Sequence, residues 1–196
     1  MHVPYVIEAT DNGNDKVYDL YSRLLKDRVI FVTGVFEDQM ANSIVAQLLF
    51  LNSVAPEEDI MMYINSPGGS INSMYAIYDT MQYVSNDIVT VGMGTVASAG
   101  SFILAAGTSG KRKCLPNTEV MIHELSGGFE GKANDIFLTA ERTKKYYDRM
   151  AKYYVKFTGQ KLAKVKKDME RDYYMSADET KEYGLIDDVI SSPTKA

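Results

Sequence analysis

The sequence predicts an α/β protein built around a parallel sheet. Short segments rich in β-branched and apolar residues alternate with longer segments whose apolar residues recur every three or four positions. This alternation of strands and helices is typical of βαβ units. The length of 196 residues and a hydrophobic content of 45% suit one domain with a sizeable core.

The predicted elements follow in chain order. Residues 1–20 are polar and rich in Gly, Asn and Asp, which indicates a flexible N-terminal segment before a single domain over 21–192. Strands are predicted at 29–33, 60–65, 88–93 and 120–123. Helices are predicted at 18–25, 37–52 and 71–84, near Ser98, and at 134–158 and 160–171, followed by a final helix and strand. A turn is predicted at 66–70, because a proline there precedes two glycines.

The predicted helix over 134–158 is long for a domain of this size. Asn134 is the expected N-cap and Gly159 the expected C-terminal stop. At about 1.5 Å per residue, this helix extends roughly 36 Å. We expect its stripe to pack against a neighbouring subunit, and the alternative is packing across its own sheet. The stripe residues alternate at spacings of four and three: Ile136, Ala140, Thr143, Tyr147, Met150, Tyr154 and Thr158.

Composition excludes several classes of function. A net charge of −5 argues against a nucleic-acid-binding protein, which would present a basic surface. The single cysteine, Cys114, excludes an internal disulfide framework and indicates a reducing compartment, so we expect a cytoplasmic protein. We interpret Cys114 as an ordinary free thiol in a solvated basic loop over 111–116. With only two histidines and no cysteine cluster, we expect no metal site.

The chain shows no clear membrane or export signal. Its N-terminal residues lack the basic and apolar regions of a signal peptide. The uncharged stretch 88–110 is long enough to span a bilayer, but its glycines, serines and threonines favour a buried strand, a turn and a buried helix. We therefore expect no membrane partner.

Three residues could form a nucleophilic site. Ser98 lies in a run of small residues, His123 ends a predicted strand, and Asp172 follows a predicted helix. A serine hydroxyl needs an adjacent base, and that base needs a group that orients it. Parallel strands end at one edge of a sheet, where Gly68 and Gly69 would also lie. Each residue also has a structural alternative: close packing for the serine, a core hydrogen bond for the histidine, a surface charge for the aspartate and a Pro-Gly turn for the glycines.

Five segments of the chain, taken in order, form a specific pattern: 65–70 (Asn-Ser-Pro-Gly-Gly-Ser), 94–100 (Gly-Thr-Val-Ala-Ser-Ala-Gly), 115–117 (Leu-Pro-Asn), 120–123 (Val-Met-Ile-His) and 170–172 (Glu-Arg-Asp). In these segments, and over nearly the whole chain, the sequence resembles the proteolytic subunit of the Clp protease. The resemblance implies that Ser98 is the nucleophile, His123 the general base and Asp172 the acid that orients it. It also implies an oxyanion hole formed by the backbone N–H groups of Gly69 and Ala99.

The resemblance further implies a Clp-protease/crotonase-like fold, a ββα spiral head with a projecting strand–helix handle over about 124–158. Two heptameric rings would stack through these handles and enclose a chamber. Unfolded polypeptides would pair there as an added strand beside Gly68, Gly69 and Gly127. A hexameric AAA+ unfoldase would use ATP, so this chain itself would need no cofactor. The unfoldase would dock on apolar residues of the ring face: Leu49, Tyr63, Tyr83, Leu115 and Ile190.

The chain departs from the family pattern at several positions. After His123, Glu124 and the following leucine replace a usual Gln-Pro, and Lys132 replaces a usual glutamine in the handle. The N-terminal segment is acidic around Asn12 and Asp15, where arginines are usual. Two alternatives stay open beside an active serine endopeptidase. One is a catalytically silent structural subunit of a mixed complex, and the other is a crotonase-type acyl-CoA enzyme, which shares the spiral fold.

Overall fold

The computed structural model describes residues 3–9, 14–128 and 130–192. Its strands are β1 (Tyr5–Glu8), β2 (Lys16–Asp19), β3 (Val29–Phe36), β4 (Ile60–Gly69), β5 (Ile88–Ala97), β6 (Arg112–Cys114), β7 (Glu119–Ile122), β8 (Tyr173–Ser176) and β9 (Asp188–Val189). Its helices are α1 (Leu20–Lys26), α2 (Asp38–Val54), α3 (Ile71–Tyr83), α4 (Ala99–Ala105), α5 (Ala133–Thr158), α6 (Leu162–Met169) and α7 (Ala177–Tyr183).

The central sheet is mostly parallel. Its strands lie in the order β3-β4-β5-β6-β9, and every pairing along this path is parallel. The second half of β5 also pairs in parallel with β7, which in turn pairs antiparallel with β8. Consecutive parallel strands need crossover connections, and α2, α3 and α4 provide them. This mixed α/β architecture confirms the predicted fold class.

Helix α4 lies in the middle of the core. All of its residues are buried, and each buried aromatic ring around it stabilises the fold by about 1.5–3 kcal/mol. The packing holds the N-terminus of α4, and hence Ser98, in a fixed position. Rings from α3 and α5 surround Phe102 at centroid distances of 5.3–5.8 Å: Tyr75, Tyr78, Tyr153, Tyr154 and Phe157.

Strands β4 and β5 run further than the sequence indicates. The predicted turn over 66–70 is wrong, because β4 continues to Gly69, which pairs with Phe36 of β3. Likewise β5 continues to Ala97. Gly68 and Gly69 have φ angles of 97° and 149°, so the glycines give the strand end a conformation that other residues rarely adopt.

The described part of the N-terminal segment contains a hairpin in which β1 and β2 pair antiparallel. The sequence predicts an irregular segment here, because its Gly, Asn and Asp residues outweigh a short alternation of apolar side chains. The predicted helix over 18–25 begins later, at Leu20, where Asp19 caps it by accepting a hydrogen bond from Ser22 N at 3.1 Å. Asn12 lies outside the described residues, and the flexibility of the segment stays a prediction.

The basic segment over 111–116 is not a solvated loop. It contains β6, and Arg112 is only 7% exposed. The Arg112 guanidinium forms an ion pair with Asp187 at 2.6 Å and donates to Phe157 O at 2.9 Å. The sequence interpretation is wrong because the half-buried carboxylate of Asp187, distant in the chain, neutralises this buried arginine.

Helix α5 has one exposed and one buried half. It begins after Lys132 rather than after the predicted cap Asn134, and it ends as predicted at Gly159, which has a φ of 71°. Its last turns pack on the domain through the buried residues Met150, Ala151 and Tyr154. The first half, from 133 to 142, is exposed apart from one half-buried residue. Packing within the chain, on α4 and α6, therefore explains only the second half of the predicted stripe.

Candidate active site

Ser98 occupies the turn between β5 and α4. Its backbone has a φ of 55° and a ψ of −117°, a conformation that costs a non-glycine residue roughly 1–3 kcal/mol. Ser98 N donates to Met121 O of β7 at 2.9 Å. Ser98 O accepts from Phe102 N at 3.1 Å and from Ser101 Oγ at 2.7 Å. The strained turn is therefore held by β7 on one side and by α4 on the other.

A buried tyrosine supports this turn from α5. The Tyr154 hydroxyl lies 3.0 Å from Ser101 Oγ. Burial raises the pKa of Tyr154, so its hydroxyl keeps its proton. Because Ser101 donates its own proton to Ser98 O, Tyr154 acts as the donor to Ser101 Oγ. The Ser101 side chain thus connects Tyr154 of α5 to the backbone of Ser98.

His123 bridges Ser98 and Asp172. Its Nε2 lies 2.9 Å from Ser98 Oγ, and its Nδ1 lies 3.1 Å from Asp172 Oδ1. An ionised carboxylate only accepts hydrogen bonds, so Nδ1 carries the proton and donates to Asp172. Nε2 is left to accept the proton of the Ser98 hydroxyl. The side chains of His123 and Asp172 are 25% and 56% exposed, so the pair is open to solvent.

The register of the sheet brings the histidine and the aspartate together. In the antiparallel pair of β7 and β8, Ile122 lies opposite Tyr173. His123 follows Ile122 and Asp172 precedes Tyr173, so these two residues face each other. In the parallel pair of β5 and β7, Ala97 lies opposite Met121. A single strand, β7, therefore positions His123 against both of its partners.

The backbone at the end of β4 passes directly beside Ser98. A Cβ atom on Gly68 would lie 2.6 Å from Ser98 Cβ and 3.0 Å from Ser98 Oγ. A Cβ atom on Gly69 would lie 2.5 Å from Phe36 O. Gly68 N donates to Ser66 Oγ at 3.0 Å, which fixes this stretch. Only glycine allows so close an approach, which places the end of β4 directly beside Ser98.

A cavity of about 390 Å³ opens beside Ser98 and His123. Gly69 and the start of α3 form one wall, and the segment around Gly127 together with the exposed half of α5 forms the other. Ile71 supplies apolar surface. A cavity of this size accommodates a substrate side chain, and the candidate nucleophile and base both lie on its lining.

A family model described as Clp protease matches residues 11–193. The chain belongs to the Clp protease family. Membership confirms the resemblance stated from the sequence segments, and it implies a serine peptidase of the Clp type. The mostly parallel α/β architecture agrees with the fold of this family.

The predicted oxyanion and substrate-binding groups lie at the expected edge of the sheet. Gly69 and Gly127 line the cavity, and Ala99 is the first residue of α4, directly after Ser98. Gly68 is buried against Ser98. Their assignment to the oxyanion hole and to strand pairing with a substrate stays a prediction.

The predicted docking residues all reach the surface of the chain, and their role stays a prediction. Three of them are exposed: Tyr83 by 79%, Leu49 by 43% and Leu115 by 37%. Tyr63 and Ile190 are half-buried, and the Tyr63 ring stacks on Phe31 at 5.6 Å.

Other kinds of site find little support in the described part of the chain. Cys114 is buried, and burial raises the pKa of its thiol to about 12, so it is a poor nucleophile at neutral pH. The described residues contain no group of three or more His, Cys, Asp and Glu side chains placed to hold a metal ion. Within the same residues, no helix combines the length and the apolar character that crossing a membrane requires.

Sequence reasoning missed the polar wall of the cavity. Thr139, Arg142 and Tyr146 line it from α5, and Asn72 lines it from the start of α3. Thr143 also lines it, although the sequence analysis assigned that residue only to the packing stripe. The available signal was the spacing of three and four residues among these α5 positions, which places them on one face of the helix.

Proposed function

We propose that this chain is an active serine endopeptidase that hydrolyses peptide bonds of unfolded polypeptides, as the proteolytic subunit of an ATP-dependent Clp protease. The observation that carries the proposal is the connected series Ser98 Oγ, His123 and Asp172, with separations of 2.9 Å and 3.1 Å. Its position at the mouth of a cavity gives a substrate access to the hydroxyl.

In the proposed mechanism Ser98 Oγ attacks the scissile carbonyl while His123 Nε2 takes its proton. Asp172 stabilises the imidazolium that forms. His123 then gives the proton to the leaving amine, and water hydrolyses the acyl-enzyme by the same route. The chain needs no cofactor for these steps.

The oxyanion of the tetrahedral intermediate would be bound by the N–H groups of Gly69 and Ala99. Two observations support this assignment. Ala99 is in the first turn of α4, where N–H groups have no acceptor within the helix. The Gly69 backbone lines the cavity next to Ser98. An extended substrate would lie between Gly69 and the exposed segment around Gly127.

We further propose that the chain assembles into two stacked heptameric rings and receives substrates from a hexameric AAA+ unfoldase, which supplies the ATPase activity. Phe137 and Leu138 on the projecting half of α5 are 68% and 65% exposed, which supports a covering subunit. Exposed Tyr83 and Leu49 support a docking surface for the unfoldase. The lone buried Cys114 is compatible with a reducing cytoplasm.

The test is hydrolysis of a short fluorogenic peptide by the purified protein, without ATP or partner. We expect Ser98→Ala to lower kcat/KM by at least roughly 10³-fold, because no other group can form the acyl-enzyme. Ser109→Ala, the same change on a serine in a surface loop, is the matched control and should retain full activity. Sedimentation of both variants should match that of the wild type.

Two outcomes would contradict the proposal. Equal hydrolysis by the wild type and Ser98→Ala would show that the activity comes from a contaminant or from another residue. No hydrolysis by a correctly assembled wild-type particle would favour the catalytically silent subunit.

A further inference from the structure

The described residues that line the cavity beside Ser98 include one permanent cation and no carboxylate. That cation is Arg142 of α5. We propose that the cavity selects substrates that carry an acidic side chain, Asp or Glu, next to the scissile bond, and that Arg142 determines this specificity. The proposal rests on the proposed peptidase function, since it names the substrate class of the same site.

Arg142 is held in place by its neighbours. Its Nη2 donates to the Tyr146 hydroxyl at 3.2 Å, and the guanidinium carbon lies 5.4 Å from the centroid of that ring. The Tyr146 hydroxyl donates in turn to Asn72 Oδ1 at 3.4 Å, across the cavity wall. A guanidinium positioned in advance loses less side-chain entropy when it binds a carboxylate.

The charge of Arg142 is not neutralised within the described part of the chain, where no carboxylate lies within ion-pair distance of it. Nearby lysines of α5 and α6 behave differently, since Lys144 and Lys166 both pair with Asp148, at 2.8 Å and 2.6 Å. A second cation, Arg149, has its guanidinium carbon 5.8 Å from the centroid of the Tyr146 ring and adds positive potential. The remaining N–H groups of Arg142 are free to bind an anion.

The acidic residues near Ser98 are engaged or face elsewhere. Asp172 accepts from His123, and Glu124 lines two neighbouring cavities together with Leu125. Neither of these two carboxylates therefore belongs to the described lining of the cavity beside Arg142.

A second donor faces the same cavity. Because Asn72 Oδ1 accepts from Tyr146, its Nδ2 amino group remains available as a donor. Ile71 and Leu125 line the cavity beside these polar groups and can contact the methylene groups of a glutamate. An apolar substrate side chain would displace water from the guanidinium without replacing its hydrogen bonds, and an uncharged amide would accept only a weaker, neutral one. For a partly exposed pair of this kind, we expect roughly a three- to tenfold preference for the charged side chain.

The first experiment maps cleavage sites in an unfolded casein by mass spectrometry, with the wild type, Arg142→Gln and Lys145→Gln. Lys145→Gln is the matched control, because it removes one positive charge from the same exposed helix at a position that does not line the cavity. We expect Asp and Glu to be enriched beside the bonds that the wild type and Lys145→Gln cleave, and the enrichment to disappear in Arg142→Gln. Cleavage without such enrichment, or enrichment that survives Arg142→Gln, would overturn the proposal.

The second experiment does not depend on hydrolysis. It measures, by fluorescence anisotropy, how the Ser98→Ala protein binds two labelled peptides that differ only by Glu or Gln at one position. We expect the Glu peptide to bind roughly three- to tenfold more tightly at low salt, and the difference to disappear when Arg142→Gln is added. Equal binding would overturn the acidic specificity even if the peptidase is active. Absence of hydrolysis by the wild type, together with tighter binding of the Glu peptide, would overturn the peptidase function and leave the specificity of the cavity supported.

Discussion

The position of the Ser98 hydroxyl depends on a contact between two backbones. Ser98 adopts a strained conformation, and hydrogen bonds to Met121 and Phe102 hold it there. Gly68 lies so close that any side chain on it would meet Ser98 Cβ. The glycine therefore has two separate roles, since it adopts a φ of 97° and it leaves room for the serine.

Gly68→Ala should abolish most of the activity. Its Cβ would lie 2.6 Å from Ser98 Cβ, so the serine or the end of β4 must shift. A shift of about 1 Å in a catalytic group costs roughly 10²-fold in rate, and we expect a loss of kcat/KM of at least that size. Peptide hydrolysis by the variant measures the loss of room for the serine. Thermal unfolding measures the strain of placing a non-glycine residue at this φ angle.

Gly110→Ala is the control for this change. Gly110 has a φ of 86°, and nothing lies within 4 Å of the Cβ that it would gain. Both variants should lose some stability through backbone strain, and only Gly68→Ala should lose activity. Comparable activity in the two variants would show that the contact between Gly68 and Ser98 does not position the hydroxyl.

Among the elements, β7 and its two neighbours explain why distant parts of the sequence meet at one site. The sequence predicts β7 and places His123 at its end, because the strand is short and apolar. It does not predict β8, since Tyr173 and Tyr174 follow directly on a helical pattern and are exposed. The approach of Asp172 to His123 depends on the register of this antiparallel pair, which local periodicity does not encode.

Contacts between residues far apart in the chain, which local periodicity does not encode, also explain the other differences between the sequence predictions and the structure. The apolar pattern predicts most strands and helices, but it ends before the two glycines of β4. Their role depends on close contacts with Phe36 and Ser98, which only the structure shows. The basic residues near Arg112 suggest a surface loop, because the sequence does not show that Asp187 pairs with this arginine. The sequence predicts the Ser98, His123 and Asp172 site through its family segments. The position of Arg142 on the cavity becomes visible only in the structure, where α5 forms one wall.

Asp187→Asn should destabilise the packing of β6 and β9 against the end of α5. The change leaves the Arg112 charge buried without a counterion, and we expect a loss of about 3 kcal/mol in the free energy of unfolding at pH 7. Asp188→Asn is the control, because that neighbouring carboxylate forms an exposed pair with Lys181 and should contribute much less to the free energy of unfolding. Urea unfolding at one protein concentration measures both. A smaller loss for Asp187→Asn than for Asp188→Asn would contradict the role of the buried pair.

The pH dependence provides a separate measurement on Asp187. Burial by itself raises the pKa of this carboxyl, but hydrogen bonds from the Arg112 side chain and backbone and from Gly110 N outweigh it, and the net pKa lies below the usual value. A lowered pKa in the folded protein gives stability that is present above the unfolded value, about 3.9, and is lost as the pH falls through the folded value. The stability difference between the wild type and Asp187→Asn should therefore be constant from pH 5 to 7 and should narrow below about pH 4.

For the molecule as a whole, the two halves of α5 connect the site to the proposed contact between subunits. The buried half carries Tyr154, which is hydrogen-bonded through Ser101 to the backbone of Ser98. The exposed half carries Arg142 on the cavity and the apolar residues Phe137 and Leu138 on its surface. A subunit that covers the exposed half would also fix the wall of the cavity, so assembly and substrate selection would depend on the same helix.

Leu138→Asp should prevent assembly through α5. Leu138 is 65% exposed in the single chain, and a charge there could not be buried against a second subunit without a cost of several kcal/mol. We expect sedimentation velocity to show a species smaller than the wild-type particle, with unchanged secondary structure by circular dichroism. Val54→Asp, the same kind of change on an apolar residue of α2 that is 63% exposed, is the matched control and should leave the particle size unchanged.

If Leu138→Asp retains the wild-type sedimentation coefficient, the exposed half of α5 is not the contact between subunits, and its apolar residues must serve another partner. If it dissociates and also loses peptide hydrolysis, while Val54→Asp keeps both properties, the wall of the cavity that α5 supplies depends on the neighbouring subunit for its order.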